Sequence, residues 1–127
     1  MRLRVLPERF AVVRLGPEEE APERMPARGL LSITRTPEEL SIVCDERDAP
    51  AGAPSEKGWR CLAVEGPLPF TATGILASLA GPLAEARVSI FVLSTFDTDY
   101  LLVRASQLDD ALATLTTAGH EVAEAVR

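Results

Sequence analysis

The chain of 127 residues is 46% hydrophobic and 25% charged, and 13 basic against 19 acidic side chains leave a formal net charge of −6. Its mean hydropathy of +0.10 excludes both a chain too polar to collapse and one built to reside in a bilayer, and the acidic balance argues against nucleic acid as a partner. This length suits one compact unit, or two very small ones that share a core.

No apolar run approaches the ~18 residues that would span a bilayer, and the start MRLRVLPERF lacks the long apolar stretch of a secretory signal. A cytoplasmic protein with no membrane partner is expected. Cys44 and Cys61 are too few and too isolated for a metal cluster and read as two buried, unpaired thiols. Residues 1–66 hold 12 acids and 10 bases, whereas residues 67–127 hold 7 and 3. The second half is therefore the place to look for a site that prefers cationic groups, although solubility explains the same numbers.

Phe10 to Gly16, rich in valine and stopped by Gly-Pro, reads as a strand ended by a turn. PEEEAPERMPARG follows, and its prolines and glutamates predict a solvated loop. Leu30 to Thr36 reads as a strand, Thr36-Pro-Glu-Glu as a single helical turn, and Leu40 to Asp45 as the returning strand. Residues 48–58, rich in Pro, Gly, Ala and Ser, form the most obvious linker, and Trp59 to Glu65 resumes a strand.

The second half is more regular. Gly74 to Ala86 places Ile75, Leu76, Leu79, Ala80 and Leu83 on one helix face, with Thr71 or Thr73 available as N-cap. Pro82 removes one intrahelical hydrogen bond, so a bend or a late turn is expected near Gly81. Val88 to Thr95 is apolar on both faces except at Ser89 and predicts a strand buried from two sides. Asp97-Thr98-Asp99 supplies turn chemistry, and Tyr100 to Arg104 is the antiparallel return. The last helix starts at Ser106, with Asp109 completing a variant capping box. It turns Leu108, Ala111, Leu112 and Leu115 inward before Gly119 stops it. His120 to Val126 closes as a strand.

The resulting order, β-α-β-β-α-β, is the split unit of the ferredoxin-like fold, an antiparallel sheet with both helices on one face. The first half repeats it in degraded form, without full-length helices. The class is α+β, with a reduced unit and linker over 1–58 and a complete unit over 59–127.

The catalytic inventory is poor. The one histidine, His120, follows a helix-stopping glycine, and no phosphate loop, nucleophile elbow or zinc-ligand set is present. A small enzyme of the acylphosphatase sort would need an asparagine, which the chain lacks. No enzyme, cofactor or metal is expected; Asp97 and Asp99 alone leave most positions of a divalent cation unfilled.

Asp99 has a better use. It lies just beyond an apolar strand, beside Ser94, Thr95 and Thr98, where a carboxylate pairs with an ammonium or guanidinium group. The helix start at Thr73-Gly74 offers free N–H groups and the positive end of a dipole to a carboxylate. Together they make an amino-acid site; a plain hairpin turn beside a capped helix accounts for the same residues.

The stretch Thr73 to Arg104 resembles the amino-acid-binding ACT-domain proteins of bacteria and of the CASTOR-type arginine sensors. Their Gly-Ile-x-x-x-(Ile/Leu)-Ala-x-Pro-Leu helix is matched by Gly74, Ile75, Leu79, Ala80, Pro82 and Leu83. Their Leu/Ile-Ser-Thr-(Phe/Tyr)-x-x-Asp turn is matched by Leu93, Ser94, Thr95, Phe96 and Asp99. LLSITRTPEELSIVCDE, residues 30–46, is similar to their first unit.

The resemblance implies two ACT units and a regulatory or sensory role. A free amino acid would be held where the helix-start loop of one unit faces a strand of a partner unit. Carried over by motif, its contacts fall on Ala72, Thr73, Gly74 and Ile75, on Thr95, Phe96 and Asp99, and, from a facing unit, on Ser89 and Ile90. Ala72 stands where the arginine sensors carry an acid, so a neutral amino acid is as well suited as arginine. The sensors carry four such units, so this chain is expected to form a homodimer. The same fold without a ligand, used for dimerisation or protein contact, is the alternative.

Overall fold

The computed structural model describes residues 1–69 and 73–124, which form two compact units: Glu8–Trp59, and Met1–Pro7 together with the chain from Arg60 onward.

In the unit of residues 8–59, β2 (Phe10–Leu15) pairs antiparallel with β4 (Leu40–Asp45), which pairs antiparallel with β3 (Ser32–Arg35). The first half of β5 (Ser55–Val64) lies along the other side of β2, from Val13↔Ser55 to Phe10↔Trp59. Ala11, Val13, Ile42 and Cys44, at alternating positions, form one buried face. Loop residues Met25, Leu31, Ala49 and Ala53 cover it. No α-helix occurs among the described residues of this unit, and a single 3-10 turn, Glu46–Asp48, stands after β4.

The sequence expectation errs here in two places. Thr36 to Glu39 is a hairpin turn, not a helical one: Thr36 N donates to Glu39 O at 2.8 Å, and the Thr36 hydroxyl accepts from the N–H groups of Glu38 and Glu39. The side chain thus takes the donors a helix would have used. The expected linker of residues 48–58 is in its last part the start of β5, because pairing with β2 outweighs the poor strand propensity of Ser55, Glu56 and Lys57.

In the other unit, β1 (Arg2–Val5) pairs antiparallel with the second half of β5 and parallel with β8 (Glu121–Ala123). On the far side of β5 comes β7 (Asp99–Arg104), followed by its antiparallel partner β6 (Ile90–Ser94). Two helices, α1 (Ile75–Glu85) and α2 (Leu108–Thr117), complete it. Leu3, Val5, Leu62, Val64, Leu101 and Val103 point from alternate strand positions into one core with Leu79 and Leu83 of α1 and Ala111 and Leu115 of α2. Both helices therefore cover the same sheet face, as the ferredoxin-like reading requires.

Strand β6 is not buried from two sides. It pairs only with β7 among the described residues, and Ile90 to Leu93 are all half-buried. Ile90 and Val92 reach the core, whereas Phe91 and Leu93 point the other way. Neither helix has the expected side-chain cap. Gly74 caps α1 in the left-handed region at φ 76° with Thr73 exposed, and α2 begins after a 3-10 turn, Ala105–Gln107, in place of the capping box at Ser106. Thr71, and the expected extension of the last strand to Val126, lie outside the described residues.

Both cysteines are buried and unpaired with each other. Burial, helped by the nearby Asp48 and Asp45 carboxylates, pushes the Cys44 thiol up to about 11, which leaves it protonated and unreactive at neutral pH.

Candidate functional site

The site is built at the strand end where β6 turns into β7. Thr95 N donates to Thr98 O at 2.8 Å, and the Thr95 hydroxyl bridges the same turn, donating to Thr98 O and accepting from Thr98 N. The Thr98 hydroxyl donates to Val64 O at 2.6 Å, fastening the turn to the end of β5. Beyond β5 the chain doubles back, and Leu68 N donates to Asp97 O at 2.7 Å. Gly66 makes this possible, since a Cβ there would stand 2.8 Å from the Asp97 carbonyl oxygen.

Asp99 opens β7 opposite Ser94, the last residue of β6. The Ser94 hydroxyl donates to Asp99 Oδ1 at 2.6 Å, and the other carboxylate oxygen has no hydrogen-bond partner among the described residues. Asp99 is half-buried. Across from it, Gly74 and the first turn of α1 present backbone N–H groups that no side chain caps. Between these walls lies a cavity of about 300 Å³, bounded by Leu68, Gly74, Ile75, Leu76 and the run from Ser94 to Asp99.

A cavity walled by an uncapped helix start and by the side of Asp99, with no basic side chain in its lining, presents opposite electrostatic ends. It suits a small zwitterion, whose ammonium group gains a charge-assisted hydrogen bond from the carboxylate and whose carboxylate meets the helix N–H groups.

Of the residues singled out from the sequence, Gly74, Ile75, Thr95, Phe96 and Asp99 line this cavity. Thr73 is exposed next to it and is not part of the lining, and Ala72 lies outside the described residues. Ile90 stands at the opposite end of β6, about 13 Å along the strand from Ser94 at roughly 3.3 Å per residue, and Ser89 comes just before it. Ser89 is exposed there. Leu68, Leu76 and Asp97 were missed. The usable signal was the Gly-Pro pair at 66–67, which turns the chain leaving β5 back toward the same sheet end.

Residues 54–117 match the ACT domain family, and residues 8–52 match a second family described as an N-terminal domain. The chain belongs to the ACT-domain family. The matched segment holds all of β5, both helices, β6, β7 and the whole described lining of the cavity, so the ACT match and the candidate site coincide. Among similar proteins of known structure is one from Agrobacterium tumefaciens, 38% identical, covering 99% of this chain and 94% of its own, with a TM-score of 0.92. The cytosolic arginine sensor for mTORC1 subunit 1 of Homo sapiens is 37% identical over 95 residues, which is 66% of this chain and 29% of that protein. The ACT chain thus spans under a third of the length of the curated arginine sensors that it matches. The regulatory subunit of aspartate kinase from Thermus thermophilus shares the fold, with a TM-score of 0.61 at 12% identity over 88% of this chain and 93% of that one. Among the described residues no helix is long and apolar enough to cross a membrane.

Proposed function

We propose that this protein is a regulatory sensor that binds a free amino acid at the ACT cavity and carries no catalytic machinery. The observation that supports it is the pairing of Asp99, one oxygen held by Ser94 and the other unclaimed, with the uncapped start of α1 across a cavity of about 300 Å³. Asp99 receives the ammonium group, the N–H groups after Gly74 receive the carboxylate, and Thr95 and Phe96 border the side chain. The name of the human relative, an arginine sensor, supports an amino acid as ligand, and its cytosolic placement supports a cytoplasmic location here. Ala72, two positions before Gly74 in the sequence, carries no charge to select a guanidinium group, so neutral amino acids belong in the candidate set.

A homodimer completes this reading. Phe96 and Leu76, 78% and 39% exposed at the mouth of the cavity, are apolar surface that an opposing unit would cover, and Ser89 and Ile90 of a second copy are the residues assigned to that contact. Ligand that binds only the assembled state stabilises it with the logarithm of its concentration above Kd, by about 2.7 kcal/mol at a hundredfold excess.

Thermal unfolding of the wild-type chain and of Asp99→Ala across the standard amino acids tests the reading. The wild type is expected to rise in Tm with its ligand by several degrees. The variant is expected to lose that rise, with an unliganded stability within about 1 kcal/mol of wild type, the scale of the single Ser94 hydrogen bond. An undiminished rise in Asp99→Ala overturns the assignment.

A further inference from the structure

Pro82 sits inside α1 and has no N–H, so the carbonyl of Ser78, four residues back, lacks its intrahelical donor. His120 stands in its place. Its Nε2 lies 3.0 Å from Ser78 O, and its Nδ1 lies 3.2 Å from the Met1 nitrogen. A carbonyl oxygen can only accept, and the Met1 nitrogen is the donor of its pair. Both contacts therefore specify one tautomer, with the proton on Nε2.

His120 is delivered to this position by the end of α2. Gly119, at φ 97°, follows the last turn, and the N–H groups of Gly119 and His120 return to Thr116 O and Leu115 O. The next residue, Glu121, begins β8, and its N–H bonds to Met1 O at 2.9 Å. The imidazole is thus fixed by a helix cap on one side and a strand on the other, and projects onto α1.

Ser78 is the residue that ties down the start of α1. Its N–H donates to Gly74 O at 2.9 Å and its hydroxyl donates to Ile75 O at 2.7 Å, and both of these residues line the ACT cavity. We infer that His120 supplies the hydrogen bond that Pro82 removes and so acts as a positioning residue for the first turn of α1, through Ser78. Its bearing on ligand binding rests on the reading proposed above; its hold on the helix does not.

The test is a two-by-two cycle of His120→Ala and Pro82→Ala in the full chain, read by urea denaturation without ligand. His120→Ala is expected to lower the folding equilibrium constant roughly five- to tenfold. Pro82→Ala restores an N–H to Ser78 O, so in that background the same substitution is expected to cost less than about twofold. His120→Gln, which keeps a donor near the Nε2 position, is expected to retain most of the stability that His120→Ala loses. Exchange of the Ser78 amide, whose N–H is bonded to Gly74 O, should quicken in His120→Ala alone. Equal losses in both backgrounds, or a His120→Gln as damaged as His120→Ala, overturn the inference. Should His120→Ala fail to fold beside Pro82, a folded double variant supports the inference and failure in both backgrounds overturns it. Because ligand is absent throughout, failure here leaves the amino-acid reading intact, and a failed Asp99 test leaves this one intact.

Discussion

Asp99 and Asp45 show how two carboxylates of one chain take opposite roles. Asp99 is half-buried with one bond from Ser94 and an unclaimed oxygen, a group poised to receive a partner. Asp45 is 3% exposed and already satisfied. It accepts from Arg47 N at 2.9 Å, Arg47 Nε at 3.1 Å and Arg47 Nη2 at 3.0 Å. These side-chain hydrogen bonds from Arg47 hold its carboxyl below the ordinary carboxylate value of 3.8, against the desolvation that would raise it. A carboxyl whose folded pKa is lowered contributes stability that is complete above its unfolded value and is lost as pH falls through the folded one. Urea midpoints measured from pH 6 down to pH 2 are therefore expected to fall below about pH 4 in the wild type, and to fall less in Asp45→Asn. An acid limb of equal steepness in both proteins would show that Asp45 is not a source of it.

At the scale of the elements, the two helix ends compare the same motif with and without glycine. After α2, Gly119 takes the left-handed position; after α1 that position falls to Arg87, at φ 61°, with Arg87 N bonding to Ala84 O and Val88 N to Leu83 O. A side chain there costs roughly 1 kcal/mol that glycine would not. Arg87→Gly is expected to stabilise the protein by about 0.5–1 kcal/mol, seen as a higher urea midpoint with an unchanged slope. A lower midpoint would contradict the role given to this residue. Gly119 was legible in the sequence as a helix stop because glycine announces the position; Arg87 announces nothing. β1 was hidden for a similar reason. Its two inward residues, Leu3 and Val5, alternate with arginines at the very start of the chain, and only pairing with β5 and β8 gives them a core to enter. The regular pieces, by contrast, were readable from period alone: β4, β7, both helices, and the ferredoxin-like order that joins them. β6 was readable as a strand but not as an edge, since an apolar run states what a strand could bury and not which neighbours it meets.

For the molecule as a whole, the candidate site emerges because connections far apart in sequence end at one place. The turn after β6, the loop after β5 and the start of α1 meet around one cavity, and their hydrogen bonds, Thr98 to Val64 O and Leu68 to Asp97 O, join residues 29 or more positions apart. Half of that site was legible from motif, through Gly74, Ile75, Thr95, Phe96 and Asp99. The wall made by Leu68 and Leu76 was not, because apolar residues in a loop or on an exposed helix turn carry no local signal of what they face. A sensor role requires the cavity to hold a free amino acid. Calorimetric titration of the full chain with each standard amino acid tests this most directly. Saturable binding by at least one of them, abolished in Asp99→Ala, is the predicted result. The absence of binding by all of them at millimolar concentration would contradict it and leave the ACT fold serving contact between proteins.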